Sequence, residues 1–203
     1  MKLPKLRELK EAIVALVKGP YTSRFPKEAH TPHKNFRGRP KFSQDECVGC
    51  LGCENVCPVN AISHEDIVDK NSAKRIMIHY SDTCIFCGQC QAYCITKEGI
   101  KLSNEWELSM FDRRDSKETI EKELLLCEIC GDVIGCKDHI IWLAKELGEL
   151  AYSNPTLYMT RLKELGISDE EVKSAVNISS RSDRMKVVCA RCRRKTTLTT
   201  EKI

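Results

Sequence analysis

The stretch CVGCLGCENVCP, residues 47–58, places four cysteines at the spacing C-x2-C-x2-C-x3-C and ends in Pro58. The same spacing recurs in CIFCGQCQAYCI, residues 84–95, where Ile95 stands in the position of the proline. Eight of the thirteen cysteines therefore lie in two copies of one pattern. A repeat of this kind predicts two similar local structures related by a pseudo-two-fold axis.

This spacing is that of the ligands in bacterial ferredoxins with two [4Fe–4S] clusters, where the fourth cysteine of each run binds the cluster of the other run. The predicted ligands are Cys47, Cys50, Cys53 and Cys94 for the first cluster, and Cys57, Cys84, Cys87 and Cys90 for the second. Three cysteines two residues apart wrap a loop around one face of a cluster, and the fourth points towards the other cluster. The missing proline after Cys94 departs from the pattern but removes no ligand.

Eight cysteines could instead form four disulfides or two zinc sites. Disulfide frameworks belong to short secreted chains. The first ten residues are charged and precede no apolar h-region, so we expect no secretory signal. Zinc sites usually combine pairs of C-x2-C rather than runs of four cysteines. The two-cluster interpretation is therefore favoured.

Composition sets limits on size and location. The 203 residues are 31% charged and 6% aromatic, which suits modest cores in one ordinary domain or in a small domain with extensions. No apolar stretch approaches the length of about 18 residues that spans a membrane, so we expect a protein that is soluble or peripheral to a membrane. Residues 1–46 hold eleven Lys/Arg against five Asp/Glu, and the remaining chain twenty-two against twenty-four. This basic excess indicates either an acidic partner or anionic membrane face, or simply a solvated surface.

Residues 1–46 predict a docking helix followed by an extended basic arm. Apolar residues recur at three- and four-residue steps, at Leu3, Leu6, Leu9, Ile13, Leu16 and Val17. Gly19-Pro20 ends this helix. A helix this short needs a surface to cover its stripe, and its mixed polar face favours a partner subunit over a membrane. Residues 20–46 contain four prolines and no periodicity, which predicts an arm ordered only where it lies on something.

Residues 47–102 form the predicted two-cluster ferredoxin-like core, of the α+β class. Two strands, 61–67 and 75–80, flank a turn at 69–71. Short helices are expected after Cys57 and Cys94. For residues 103–126 we predict a polar linker followed by a helix over 117–124.

Residues 127–203 predict a helical C-terminal extension with its own metal site. Two C-x2-C pairs supply the ligands of a tetrahedral four-cysteine site: Cys127, Cys130, Cys189 and Cys192. Gly131 suits the turn of a zinc knuckle, and a metal would close a loop of about sixty residues. Zinc is favoured, a rubredoxin-like iron uses the same ligands, and two unlinked pairs of reduced cysteines are the alternative without metal.

Two further features of this extension bear on the structure. Cys136 and His139 could replace one of the C-x2-C pairs, which is the less favoured arrangement. Helical patterns are predicted over 140–150, 157–165 and 168–176, with a break at Ser153-Asn154-Pro155.

No pattern indicates a catalytic centre. The chain has no G-x-G-x-x-G and no P-loop, and His30, His33, His64 and His79 lack ligand spacing, so no role is predicted for them. With its cysteines committed to metals, the chain predicts a non-catalytic electron carrier. A group of cations near the last cysteine pair leaves nucleic-acid binding as the least favoured alternative: Arg191, Arg193, Arg194 and Lys195.

The flanks of the cysteine runs resemble a known family. They are Gly19-Pro20-Tyr-Thr-Ser-Arg-Phe-Pro26 and Phe36-Arg-Gly-Arg39 before the first run, and residues 100–108 with Arg113-Arg114 after the second. With these flanks, residues 1–126 resemble the two-cluster iron–sulfur subunit shared by respiratory complex I (subunit I, TYKY-type) and the membrane-bound energy-converting [NiFe] hydrogenases. The late C-x2-C pairs are similar to those of the corresponding formate hydrogenlyase subunit and favour the hydrogenase branch.

The resemblance implies an electron-transfer subunit on the cytoplasmic side of the membrane, peripheral to it. It would pass electrons to the small subunit of a membrane-bound [NiFe] hydrogenase, either formate hydrogenlyase-like or ferredoxin-dependent. Its implied partners are the small and large hydrogenase subunits and the membrane-arm subunits, with a ferredoxin or a formate dehydrogenase module as donor. The alternatives are subunit I of a complex I-like NADH/quinone oxidoreductase, and a free soluble ferredoxin with an appended metal domain.

Overall fold

The computed structural model describes residues 5–19, 22, 24–69, 72–167 and 185–198. The chain divides into two units, Met1–Phe36 and Arg37–Ile203. Among the helices of the described residues, none combines the length and apolar character needed to cross a membrane.

The first unit contains the predicted amphipathic helix, α1, over Leu6–Lys18. The helix begins after Lys5, whose backbone N–H donates to the Glu8 carboxylate at 3.0 Å. It ends at Gly19, whose N–H donates to the carbonyl of Ala15. No residue of α1 is buried, and its apolar stripe is exposed within this unit. Of residues 24–36, which complete the described part of this unit, none belongs to a helix or strand.

The second unit begins with six short elements. They are β1 Pro40–Phe42, α2 Gly52–Asn55, β2 Ile62–Val68, β3 Ala73–Tyr80, α3 Gln89–Ala92 and β4 Ile100–Leu102. β1 pairs with β4, and β2 pairs with β3, both antiparallel. The two predicted strands are confirmed as β2 and β3.

The short helices lie in a different place from the predicted one. α2 and α3 precede Cys57 and Cys94 instead of following them. After each fourth cysteine the chain turns through Asn60 or Lys97, both with positive φ, and this conformation interrupts a right-handed helix. Each short helix thus contains the third cysteine of its run, and the fourth cysteine lies just after the end of the helix.

The two cysteine runs share a backbone signature that reflects their repeat. Positive φ angles occur at the same three offsets from the first cysteine of each run. In the first run they fall at Gly49, Leu51 and Asn60, and in the second at Phe86, Gly88 and Lys97. A non-glycine residue rarely adopts this conformation, so four such residues at matched offsets indicate one local fold used twice.

Residues 117–126 form a strand, so the predicted helix over 117–124 is wrong. β5, Lys117–Leu126, pairs antiparallel with β3. Ile120, Lys122 and Leu124 are buried and their neighbours are exposed, which is the period of a strand. The segment is rich in Glu, Lys and Leu, which favour helix, but pairing with β3 outweighs this weak local preference.

The C-terminal extension continues the same sheet. β6, Val133–Cys136, pairs with β5, which gives a four-stranded order β2-β3-β5-β6. Three helices follow: α4 Lys137–Leu147, α5 Pro155–Glu164 and α6 Ala190–Leu198. The first two agree with the predicted helical patterns, and Asn154 caps α5 by accepting from the Thr156 N–H at 3.1 Å. The predicted helix over 168–176 lies outside the described residues.

A buried guanidinium connects this sheet to the first cysteine run. Arg75 on β3 donates from Nε and Nη2 to the two carboxylate oxygens of Asp66, each at 2.7 Å. Its Nη1 donates to the carbonyl of Gly49 at 3.0 Å. These hydrogen bonds from Arg75 lower the pKa of Asp66, so the pair is charged at neutral pH. Arg75 therefore holds the backbone of the loop between Cys47 and Cys50 against the sheet.

Gly38 is the glycine of the Arg-Gly-Arg element, and its backbone lies too close to another segment to leave room for a side chain. Its N–H donates to the carbonyl of Ser103 at 2.9 Å, and a Cβ at this position would lie 2.3 Å from the carbonyl oxygen of Glu105. Only glycine lets the backbone before β1 approach the segment after β4 this closely. The next residue, Arg39, is thereby placed with its Nε 3.5 Å from the Glu118 carboxylate.

Candidate metal centres

Two cavities in the second unit are each lined by four cysteines. The first is lined by Cys47, Cys50, Cys53 and Cys94. The second is lined by Cys57, Cys84, Cys87 and Cys90. Each cavity thus receives three cysteines from one run and the fourth from the other run.

The rest of each lining is mainly apolar. The first cavity is bordered by Val48, Leu51, Met77, Ile95 and Ile100, and the second by Pro40, Val59, Ile62, Ile85 and Phe86. One core packs residues of β2, β3 and β5 against α2, α3 and β4, and it includes both third cysteines, Cys53 and Cys90, with Met77 and Ile120. The apolar surroundings therefore limit the contact of the cysteine sulfurs with bulk water, most completely for the buried Cys53 and Cys90.

Burial raises the pKa of four of these thiols: Cys47, Cys53, Cys84 and Cys90. Burial, reinforced by neighbouring cysteines, raises the pKa of Cys53 to about 12. Burial likewise raises the pKa of Cys90 to about 11. Such thiols ionise when a strongly positive metal centre takes the place of the proton on sulfur, and thiolates are the ligands of iron–sulfur clusters. The donor set and its setting therefore fit the [4Fe–4S] group in both cavities.

Cys94 has a different environment. Burial opposes its ionisation, but hydrogen bonds from the Thr96 hydroxyl and from nearby backbone N–H groups outweigh burial and lower its pKa. The Cys94 Sγ lies 3.4 Å from the Thr96 Oγ1. In place of the proline that follows Cys57, this cysteine is thus followed by a turn that stabilises its thiolate.

Gly49, between the first two cysteines, is required by its surroundings. Its φ is +68°, and a Cβ at this position would lie 2.5 Å from the Cys136 Sγ. Cys136 is completely buried at the end of β6. The tight cysteine loop and the C-terminal extension therefore meet at a contact that leaves no room for a side chain.

We expect Gly49→Ala to destabilise the first cysteine loop by about 2–4 kcal/mol, because the added methyl group overpacks the contact and the positive φ strains alanine. Cys136→Ala should remove most of the steric part, so the same glycine substitution should cost only about 1–2 kcal/mol in that background. The measurement is the thermal loss of visible cluster absorbance in the two single variants and the double variant. If Gly49→Ala destabilised the protein equally in both backgrounds, the contact with the Cys136 sulfur would not be the cause of the destabilisation.

The four cysteines of the C-terminal extension come together as one group. Their sulfur atoms all lie within 4.8 Å of one another, and the Sγ atoms of Cys130 and Cys189 are 3.7 Å apart. A tetrahedral zinc with Zn–S bonds of about 2.3 Å separates its sulfurs by about 3.8 Å. The predicted set Cys127, Cys130, Cys189 and Cys192 therefore has the shape that a four-cysteine metal site needs.

Backbone N–H groups donate hydrogen bonds to the sulfurs of this group and so favour the thiolate form, which binds a cation. The N–H of Cys189 donates to the Cys127 Sγ at 3.3 Å, and the N–H of Cys192 donates to the Cys189 Sγ at 3.4 Å. Burial opposes ionisation of Cys127, but backbone N–H groups outweigh it and lower the pKa of Cys127 to about 6. Gly131, with φ of +73°, makes the predicted turn, and its N–H donates to the Cys127 carbonyl.

Cys136 and His139 do not join this group in the part of the chain that the structure describes. The alternative in which they replace a C-x2-C pair is therefore wrong. Cys136 instead packs against Gly49, where burial raises its pKa to about 11. The His139 ring lies 6.4 Å from the Trp142 ring on α4.

Two of the four cations near the last cysteine pair are engaged within the fold. Arg191 pairs with the Asp132 carboxylate, and Arg193 donates to the Asn154 side chain at 2.7 Å. The latter contact ties α6 to the cap of α5. These arginines therefore have structural partners, which weakens the nucleic-acid interpretation.

Comparison with known proteins agrees with a domain that holds two clusters. Residues 30–97 match the family described as 4Fe-4S dicluster domain. NADH-quinone oxidoreductase subunit I 2 of Geobacter metallireducens is 33% identical over 121 residues, which are 57% of this chain and 92% of that protein. This chain belongs to the same family of two-cluster iron–sulfur subunits. Formate hydrogenlyase subunit 6 of Escherichia coli, 34% identical over 140 residues (67% of this chain, 76% of that protein), is a second relative.

Membership of the family confirms the predicted resemblance and the fold class. The ferredoxin-like α+β core carries the two-cluster domain, and the C-terminal cysteine group follows it. A third relative, NAD(P)H-quinone oxidoreductase subunit I of Gloeobacter violaceus, is 36% identical over 99 residues. The match covers 47% of each protein, so the chain spans about half the length of that relative.

Proposed function

We propose that this family member relays single electrons to the small subunit of a membrane-bound [NiFe] hydrogenase. The observation that carries the relay is the pair of crossed cavities, each with three cysteines of one run and the fourth of the other. The hydrogenase is formate hydrogenlyase-like or ferredoxin-dependent. The alternatives are subunit I of a complex I-like oxidoreductase and a free soluble ferredoxin.

The proposed ligands follow the cavity linings. The first cluster is held by Cys47, Cys50, Cys53 and Cys94, and the second by Cys57, Cys84, Cys87 and Cys90. Each bound [4Fe–4S] cluster accepts and releases one electron with little structural change. The apolar linings limit the access of water to the thiolates, and Cys57 and Cys94 join the two sites through the polypeptide. We further propose zinc, or iron, at the C-terminal four-cysteine site.

The hydrogenase branch is favoured by how far the similarity extends. The match to formate hydrogenlyase subunit 6 spans 140 residues, against 121 and 99 for the two quinone oxidoreductase subunits. In this branch the proposed partners are the small and large hydrogenase subunits and the membrane-arm subunits. The electron donor would be a ferredoxin or a formate dehydrogenase module.

The exposed helix α1 supports a docked subunit over a diffusing carrier. Leu6, Leu16 and Val17 are each more than 80% exposed, and Leu9 and Ile13 are about half exposed. An unsupported helix of 13 residues is marginal in water, so covering this stripe on a partner would stabilise it. With the basic arm that follows, we propose that α1 attaches the protein to the complex at the cytoplasmic face of the membrane.

Purification from the source membranes in mild detergent tests the proposal. We expect co-elution with a nickel–iron subunit, and roughly eight irons and one zinc per chain of this protein. Leu16→Asp, on the stripe, should release the protein from the complex, whereas Ala15→Asp, on the opposite face of α1, should not. Co-elution with quinone-reducing subunits and no nickel would favour the complex I alternative. Elution alone would favour the free ferredoxin.

A further inference from the structure

The strand β3 presents one residue to each cysteine cavity from the same face. Met77 lines the first cavity and His79, two residues later, lines the second. Alternate residues of a strand share a face, so each of the two side chains lies beside one of the two proposed clusters. His79 has no exposed surface, and its backbone lies between Ile62 of β2 and Glu118 of β5.

Both ring nitrogens of His79 lack a hydrogen-bond partner within the described part of the chain. A buried polar group without a partner is costly, and most such groups in native proteins bind something. Burial, together with the nearby Arg39 charge, lowers the pKa of His79 to about 4. The ring is therefore neutral near pH 7, with one N–H donor and one acceptor nitrogen.

Apart from the exposed Gln89, the side-chain acceptors that line this cavity are cysteine sulfurs. The lining of the second cavity combines His79 with four cysteines and mainly apolar side chains. Sulfur atoms of iron–sulfur sites accept hydrogen bonds, and these bonds are among the factors that set the reduction potential. Met77, which β3 presents to the first cavity, has no side-chain N–H to donate.

We propose that His79 donates a ring N–H hydrogen bond to a sulfur of the second site and thereby raises the reduction potential of that site alone. The bond favours the reduced state because the added electron increases negative charge on the sulfurs, and no proton is transferred. His79 thus makes the reduction potentials of the two repeated cluster sites differ. This inference rests on the proposed ligand assignment.

Redox titration of the full chain carrying both clusters, with dithionite as reductant, tests the effect on potential. We expect His79→Leu to lower the equilibrium constant for one-electron reduction of the second cluster about tenfold, which corresponds to about 59 mV. The first cluster should not shift. His79→Gln, which keeps an N–H donor, should restore most of the difference. Met77→Leu is the matched control and should leave the second cluster unchanged.

Pulsed EPR on the wild-type chain labelled with ¹⁵N-histidine gives a second readout. The chain has five histidines, and we expect one coupled nitrogen at the reduced second cluster, lost in His79→Leu. If His79→Leu no longer binds the second cluster, this wild-type coupling still decides the matter. Eight irons with no coupling, or no shift in His79→Leu, would overturn the inference alone. A wild-type chain that binds fewer irons would instead overturn the ligand assignment.

Discussion

Replacing Cys57 by serine should abolish or alter the second cluster and leave the first intact, although Cys57 belongs to the first cysteine run. The reason is its place in the cavity formed by the second run. Cys94→Ser should have the reverse effect, because Cys94 lines the first cavity. Each variant should lose up to about four of its roughly eight irons, or convert the affected cluster, as read by iron analysis and by EPR of the reduced protein.

The matched control is Cys130→Ser, which removes an exposed cysteine of the C-terminal group. It should keep the full iron content and both EPR signals. If Cys57→Ser disturbed the first cluster and spared the second, each run would hold its own cluster and the crossed assignment would be wrong.

The second large effect that we expect is the loss of bound metal and of stability when a cysteine of the C-terminal four-cysteine group is replaced. Cys127→Ser should remove its metal and open the extension, because the core there is small and consists of Cys127, Val188 and Cys192 with a few partly buried neighbours. Structural zinc sites supply about 10–16 kcal/mol of apparent binding free energy, which becomes folding free energy. We expect loss of about one zinc per chain and faster proteolysis between 127 and 192, with iron retained.

Cys136→Ser provides the control for this experiment. It replaces a cysteine of the same extension that lies against Gly49 and outside the metal group. Its zinc content and its protease resistance in this region should match the wild type. Unchanged metal content and unchanged proteolysis in Cys127→Ser would show that the four sulfurs hold no structural ion.

Most of what the sequence predicts about the fold and the cavities follows from the cysteine spacing. A repeated C-x2-C-x2-C-x3-C run constrains the backbone so strongly that even the positive φ angles repeat, and the cavities then follow from the crossed fourth cysteines. The hairpin of β2 and β3 and the helix α1 were also predictable, because each has a clear apolar period. These features depend on residues close together in the chain.

The strand β5 could not be predicted in this way. Lys122 occupies a buried position in its alternation, which hides the strand period. Its ammonium is accommodated by Asp138, 3.0 Å away on α4, and by the carbonyl of Gln44. Neither partner is near Lys122 in the sequence, so only the folded chain shows why a lysine is tolerated there.

His79 and Cys136 escaped prediction for a related reason. His79 lacks ligand spacing, Cys136 suggested only a pairing with His139 that the structure does not form, and the significance of each comes from the strand that carries it. β3 places His79 at the second cavity, and β6 places Cys136 against the first cysteine loop. Because these neighbours are distant in the sequence, neither residue gives a local signal of what it contacts.

The sheet order β2-β3-β5-β6 has a further consequence for the exposed edge of the sheet. Without residues after 126, the ten-residue strand β5 would end the sheet with a row of free backbone donors and acceptors. Long open edges of this kind recruit strands from other molecules and promote aggregation. β6 covers this edge at Leu124–Leu126, and β6 is itself a strand of only four residues, flanked by the turn at Gly131 and by α4. The C-terminal extension thus leaves less of the β5 edge open to pairing with another molecule.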